Sequence, residues 1–364
     1  LRLARKMPLL RNQSLTGNAM SLAFKKETFR DDYTYQNSPE AIKRFPFPFA
    51  EDTYMYSVNI EPHTKGPVGA VTEFAFDIDE HYVAECEDKA KTLALDAGRY
   101  QALPHMAEAQ WDFLELTMES LSNDYPDLFL LKKDGLLWTW ENKPLGIKNT
   151  FTFGDSTSFD MDPMEYMGRQ VQGDFVLLDQ RNGTLYADAG FITSQADWSL
   201  AFDVGMAWHE WHGPVPQVTK LGVMDRALKF LMALQLGAPV RRLNWTMTIN
   251  PRLDTSPENY PLWGGDRNKV TIDNVGELVH LRVELQSLFR LPRSNAILFS
   301  IRCYLINMNE LTTSARWAKR FHRVLKSLHP DLVEYKGLTK FKDLTVQWLS
   351  KKDDGAEVAL GTHP

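Results

Sequence analysis

The sequence is poor in cysteine: Cys86 and Cys303 are the only two in 364 residues. Two thiols cannot supply a four-cysteine iron–sulfur cluster or a Cys-rich structural zinc site. Placed far apart, they also offer no disulfide framework, which makes a reducing cytoplasm the expected compartment. Any electrons used in redox chemistry here must come from elsewhere. An excess of positive charge is missing too: 41 Lys and Arg face 47 Asp and Glu, a net charge of −6, unlike a general nucleic-acid binder. No apolar run approaches the ~18 residues that span a bilayer. The chain has no Walker loop, no strand-linked Gly-x-Gly-x-x-Gly and no Gly-x-Ser-x-Gly, so nucleotide binding and α/β-hydrolase chemistry have no support.

Aromatic residues are plentiful, at 12% with ten Trp. That suits the lining of a large apolar pocket and, equally, a thick core. The length allows one large domain or two moderate ones. Residues 1–16 are basic and partly apolar without a clean signal-peptide pattern, and read as an arm or a trimmed end. Phe45-Pro46-Phe47-Pro48-Phe49 cannot be helical and reads as an extended segment wrapped over a surface. Tyr54, Tyr56 and Val58 alternate as an edge strand. A helix is expected from the Asp79 cap to Leu95, with Tyr82, Cys86, Ala90 and Leu93 inward and Gly98 ending it. Another starts near Pro104, with Trp111, Leu114, Met118 and Leu121 on one face. Residues 138–167, rich in Phe and Met among Asp, Gly and Pro, read as a loop: a lid, a subunit contact or gap-filling surface.

From there the pattern favours strands. Residues 174–179 and 184–191 flank Asn182-Gly183, which supplies the two positive φ values of a type I′ hairpin turn. Short helical pieces fill 197–206. A helix follows over 218–236, with Leu221, Met224, Leu228 and Leu231 inward, Gly237 ending it and Pro239 preventing its return. Three further strands are expected at 240–250, 278–289 and 296–308. A helix over 314–328 carries Arg316, Lys319, Arg320, Arg323 and Lys326 as a solvated or partner-facing surface, and the tail from Lys351 reads as disordered. The expected class is therefore α+β: a PAS-like five-stranded antiparallel sheet with helices on one face, plus a helical N-terminal region and a C-terminal helix. The corresponding regions are 1–169, 170–308 and 309–364.

Three places can carry chemistry. Trp208-His209-Glu210-Trp211-His212-Gly213-Pro214-Val215-Pro216 puts imidazoles in an aromatic setting on a stiff turn. A haem or other metal could use them; alternatively the stretch packs a loop on the core. His209 and His212, three apart, could also chelate zinc, though their spacing is not that of a His-Glu-x-x-His protease. The second place is the strand His280-Leu281-Arg282-Val283-Glu284-Leu285-Gln286, which puts His280, Arg282, Glu284 and Gln286 on one face. That row either meets solvent or lines a ligand cavity, where Arg282 could donate to an anion and Glu284 could pair with a cation. The third is Phe289-Arg290-Leu291-Pro292-Arg293-Ser294, a turn with two guanidinium groups that suit carboxylates.

These elements occur in a recognisable series. Asp174-Phe175-Val176-Leu177-Leu178, Trp198, His212-Gly213-Pro214-Val215-Pro216, Asn244-Trp245-Thr246, Leu281 to Gln286, and Arg290-Leu291-Pro292-Arg293-Ser294 appear in order, followed by Phe299, Ile301, Arg302 and Tyr304. The series resembles the haem-dependent oxidative N-demethylase α-subunit family, the haem subunit of dimethylamine monooxygenase, over about residues 40–330. Cys303 departs from the pattern, where a hydroxylic residue is expected before the Tyr. The resemblance implies a PAS-fold domain holding haem b and converting dimethylamine, O2 and NADPH to methylamine and formaldehyde. FMN and a 2Fe–2S centre would then sit on partner reductase subunits, matching the cysteine shortage of this chain. On this reading His212 is the proximal haem ligand, with His209 as fallback. Arg282 and Glu284 form the distal side, polarising O2 and holding the alkylammonium or accepting its proton. Arg290 and Arg293 meet the propionates. The rivals are a haem-binding PAS gas sensor without catalysis and a zinc-binding structural subunit.

Overall fold

The structure, a computed structural model, describes residues 36–55, 57–213 and 222–364. The expectations for residues 1–16, Tyr56, Pro214–Pro216 and 218–221 lie outside the described residues. The large sheet contains β1 (Glu61–Pro62), β2 (Tyr100–Ala102), β6 (Asp174–Arg181), β7 (Thr184–Phe191), β8 (Val240–Ile249), β9 (Val279–Arg290) and β10 (Ile297–Asn307). Its order is β1-β8-β9-β10-β6-β7-β2, antiparallel throughout. All five strands of the expected sheet are present, and Asn182 and Gly183 both take positive φ in the hairpin. The edge strand expected around Tyr54 and Val58 is not formed at the described residues there, and the edge is taken by Glu61–Pro62. Among the described residues the sheet nevertheless has seven strands, not five. The two additions are two and three residues long, too short for a period to show, and they cover the edges of β8 and β7. Pro62 is tolerated because its strand is an edge.

Alternation along the strands separates two faces. Phe175 and Leu177 of β6 pack with helix α1 (Tyr82–Leu95) and helix α2 (Ala107–Asp124). Val176 and Leu178, on the other face, pack with α3 (Trp208–Trp211) and α4 (Val223–Met232). Both faces therefore carry helices, where one helical face was expected. On the α1 side, Leu281, Val283 and Leu285 of β9 meet α5 (Ala315–Ser327). Phe45, Phe47 and Phe49 are all buried there. Phe47 stacks on Trp317 with ring centroids 5.1 Å apart, and Phe49 meets Trp245 edge-on at 4.9 Å. The Phe-Pro segment thus clamps α5 onto β8. Phe47→Ala should lower stability by about 3–5 kcal/mol, measured by urea unfolding, because a stacked aromatic leaves a cavity that cannot collapse.

Two expectations are corrected. Residues 138–167 are no loop: β3 (Phe129–Asp134), β4 (Leu137–Asn142) and β5 (Ile147–Thr152) form a second antiparallel sheet, followed by a helix at Pro163–Gly168. Trp138, Trp140 and Asn142 alternate inward, and Gly135 and Gly146 turn with positive φ. The aromatic content obscured this period of two, since Phe151 and Phe159 belong to the same buried layer as Trp111. The C-terminal tail is also held in place. Arg320, buried at 1% exposure, donates to the carbonyls of Val358 and Ala359 at 3.0 and 2.9 Å. Arg323 forks onto Asp353 at 2.8 and 3.0 Å. Arg316, Lys319, Arg320 and Arg323 of α5 are held by the chain's own end, a face that charge counting alone reads as solvated.

Candidate active site: a polar floor under an aromatic roof

On the α4 side of the sheet lies a cavity of about 450 Å³. Its floor is made by the alternating residues of two paired strands. Arg242 lies opposite Gln286 and Asn244 opposite Glu284, and Thr246 continues the β8 row. Its roof is made by Trp198, Trp208, Trp211 and α4.

His212 enters this cavity from the roof. The single turn of α3 begins at Ala207, whose backbone N–H donates to the Glu210 carboxylate at 2.7 Å. Glu210 is therefore a helix cap. Trp208 Nε1 donates to the Met224 carbonyl at 3.1 Å, tying α3 to α4. The His212 ring packs on Trp208 and Trp211, with centroids 4.1 and 4.7 Å away. Its Nδ1 lies 2.8 Å from the Trp208 carbonyl. A carbonyl only accepts, so Nδ1 carries the proton and Nε2 keeps its lone pair, as an imidazole metal ligand requires. Burial pushes the imidazole pKa down to about 4, so the ring is neutral across physiological pH. His209 sits elsewhere: it is exposed, pairs with Asp225 at 2.8 Å, and is not in the cavity lining. Among the described residues neither histidine belongs to a group of three side chains close enough to share a metal. Pro214, Val215 and Pro216 lie outside the described residues.

The polar row of β9 divides in two. Glu284 and Gln286 line the cavity. The Glu284 carboxylate accepts from Asn244 Nδ2 at 3.1 Å and from Gln286 Nε2 at 3.0 Å. Arg282 does not line it. Its guanidinium is fully buried and donates to the carbonyls of Leu253, at 2.5 Å, and Ser194. It also reaches Cys303 Sγ at 3.0 Å and the edge of Glu284 at 3.4 Å. Arg282 thus buttresses Glu284 from outside the cavity, and Cys303 serves it as an acceptor. His280 is buried farther along, with Nδ1 3.0 Å from the Leu278 carbonyl.

Arg290 and Arg293 also have other partners. Arg290 donates to the carbonyls of Leu231 and Leu234, at 2.8 and 3.0 Å, closing the end of α4. It reaches Gln180 at 2.7 Å as well. Arg293 pairs with Asp112 and Glu115 of α2 at 2.7 and 2.6 Å. Neither lines the cavity; among the described residues the cations that do are Arg242 and Lys336. Arg242 was legible, since Arg242, Asn244 and Thr246 repeat on β8 the alternation seen on β9. Lys336 follows a short helix, α6 (Pro330–Tyr335), where no pattern marks it.

A sequence model of the family described as haem-dependent oxidative N-demethylase, alpha subunit-like, matches residues 69–346. The chain belongs to this family. Its description names haem dependence, and the term alpha subunit implies a multi-subunit complex. Among the described residues, no helix of this N-demethylase α-subunit-like chain is long and apolar enough to cross a membrane. The cavity suits haem on its own evidence. Two buried donors that line it, Arg242 Nε and Trp211 Nε1, have no hydrogen-bond partner among the described residues. Leaving such groups dry and unpaired costs about 1–3 kcal/mol each, a cost that an oxygen-bearing group in the cavity removes. A neutral imidazole, aromatic walls and these donors fit the chemistry of a largely apolar cofactor that carries anionic groups.

Proposed function

We propose that the chain is the haem b subunit of a cytoplasmic, NADPH-dependent oxidative N-demethylase of small secondary amines, with dimethylamine as substrate. The balanced reaction is dimethylamine plus O2, NADPH and a proton giving methylamine, formaldehyde, NADP+ and water. Partner subunits carrying FMN and a 2Fe–2S centre deliver the electrons. Bound haem supplies the oxidising chemistry; this chain's residues hold, orient and desolvate. One observation carries the reading: a carboxylate, Glu284, shares one aromatic-walled cavity with a neutral imidazole, His212. The spatial order of the five central strands, with the second beside the first and then the fifth, fourth and third, supports a PAS-like core.

In this proposal His212 Nε2 would hold the haem iron, with the ring oriented by the Trp208 carbonyl on Nδ1. Glu284 holds the alkylammonium. Asn244 and Gln286 occupy one of its oxygens, leaving lone pairs for a substrate N–H. Arg242 takes the donor role expected of Arg282, because it is the guanidinium that lines the cavity. The Trp and Phe walls exclude water, which strengthens the ammonium–carboxylate attraction. Purified holo-protein, supplied with the reductase subunits and NADPH, should consume NADPH on addition of dimethylamine and release formaldehyde in equal amount. NADPH consumption indifferent to amine, without formaldehyde, would refute the proposal.

A further inference from the structure

Lys336 is a buried cation with nothing yet to do. It leaves the end of α6 and enters the cavity at 5% exposure. Its Nζ donates to the Trp245 carbonyl at 2.6 Å and lies 4.8 Å from the centroid of the Trp245 ring. That carbonyl falls between Asn244, which donates to Glu284, and Thr246, whose hydroxyl donates to the Lys336 carbonyl at 3.4 Å. The backbone is therefore pinned on both sides of the ammonium. Its ammonium is met by a carbonyl and a ring, and Glu284, which lines the same cavity, is the carboxylate that favours its charge.

The geometry points to Lys336 as the internal cation that competes with the substrate ammonium for Glu284, so that amine binding expels the Lys336 proton. This rests on the reading of Glu284 as the amine-binding carboxylate. The exchange is balanced: Lys336–NH3+ becomes Lys336–NH2, the proton passes to solvent, and the alkylammonium takes its place opposite Glu284. Neutral Lys336 still donates to the Trp245 carbonyl, so the wall stays intact. The device sets specificity. It admits one cation at a time and disfavours amines carrying a second positive charge.

Other charged groups around Lys336 leave it free to titrate alone. Glu284 on β9 favours its charged form and Arg242 on β8 disfavours it. Burial is the largest influence and pushes its pKa down to about 8. On the roof, Asp197 pairs with Arg267, and Asp203, raised to about 6 by burial, ionises at lower pH. Tyr335 lines the same wall. The alkylammonium, about as basic as free lysine at ~10.4, keeps its proton over pH 7–9.

A group titrating near 8 is about one-tenth deprotonated at pH 7 and about nine-tenths at pH 9. Dimethylamine affinity, read from the absorption change of the holo-protein, should therefore rise about tenfold between pH 7 and 9. Calorimetry in two buffers of different ionisation enthalpy should show about one proton released per amine bound at pH 7. Lys336→Met should bind about tenfold tighter at pH 7, with the slope abolished; Lys336→Arg should bind weakly at every pH. A flat wild-type profile, or binding without proton release, overturns the inference whatever the variants do. Glu284→Gln keeps the two failures apart. If it binds amine like wild type, the reading of Glu284 is wrong; if it loses binding while the wild-type profile is flat, only the role of Lys336 is.

Discussion

His212→Ala is expected to yield folded protein that binds haem more than about 100-fold less tightly and lacks the normal Soret band. Disturbing a group that merely orients a metal ligand costs about 10–100-fold, and removing the ligand itself exceeds that. The fold should survive, because Trp208 and Trp211 keep their mutual contact and Trp208 keeps its bond to Met224. Added imidazole should restore part of the band by occupying the space left. His209→Ala is the control: its ring is exposed on Asp225, and the spectrum should not change. The measurement is haem content and absorption of both variants after reconstitution. An unaltered His212→Ala spectrum would remove His212 as the ligand.

Glu284→Gln should keep haem and lose the amine. The amide oxygen can still accept from Asn244 and Gln286, and Arg282 retains its carbonyl partners at Leu253 and Ser194. The charge is lost, and with it the oxygen that takes the long 3.4 Å contact from Arg282 Nε. Removing one partner of a buried charge pair costs about 2–5 kcal/mol, so dimethylamine affinity should fall by about 30-fold or more. Isothermal titration of the holo-variant reads this directly, and equal affinity in wild type and variant would show that Glu284 does not hold the ammonium.

How far the sequence foretold this architecture follows from how local each signal is. The Asn-Gly hairpin and the long alternating strands β8, β9 and β10 are written in neighbouring residues, and all are present. The rows of β8 and β9 could be read as faces, but not which members reach a cavity. Arg282 and Glu284 are two residues apart on one face, yet loop carbonyls at Ser194 and Leu253 claim the first and leave the second facing the cavity. Arg290 and Arg293 were credible anion binders until the end of α4 and the acids of α2 took them. Lys336 was invisible because its neighbour, Trp245, is 91 residues away in the chain. The second sheet was missed for a different reason: Phe151, Phe153 and Phe159, stacked around Trp111, look like loop aromatics when the strand period is interrupted.

The most direct test is a dimethylamine titration of the purified, haem-reconstituted chain at pH 8, followed at the Soret band. The account predicts one band that shifts saturably with amine, because the imidazole and the carboxylate share a single cavity. A band that ignores amine would fit a haem sensor instead, and no band at all would contradict the haem site itself.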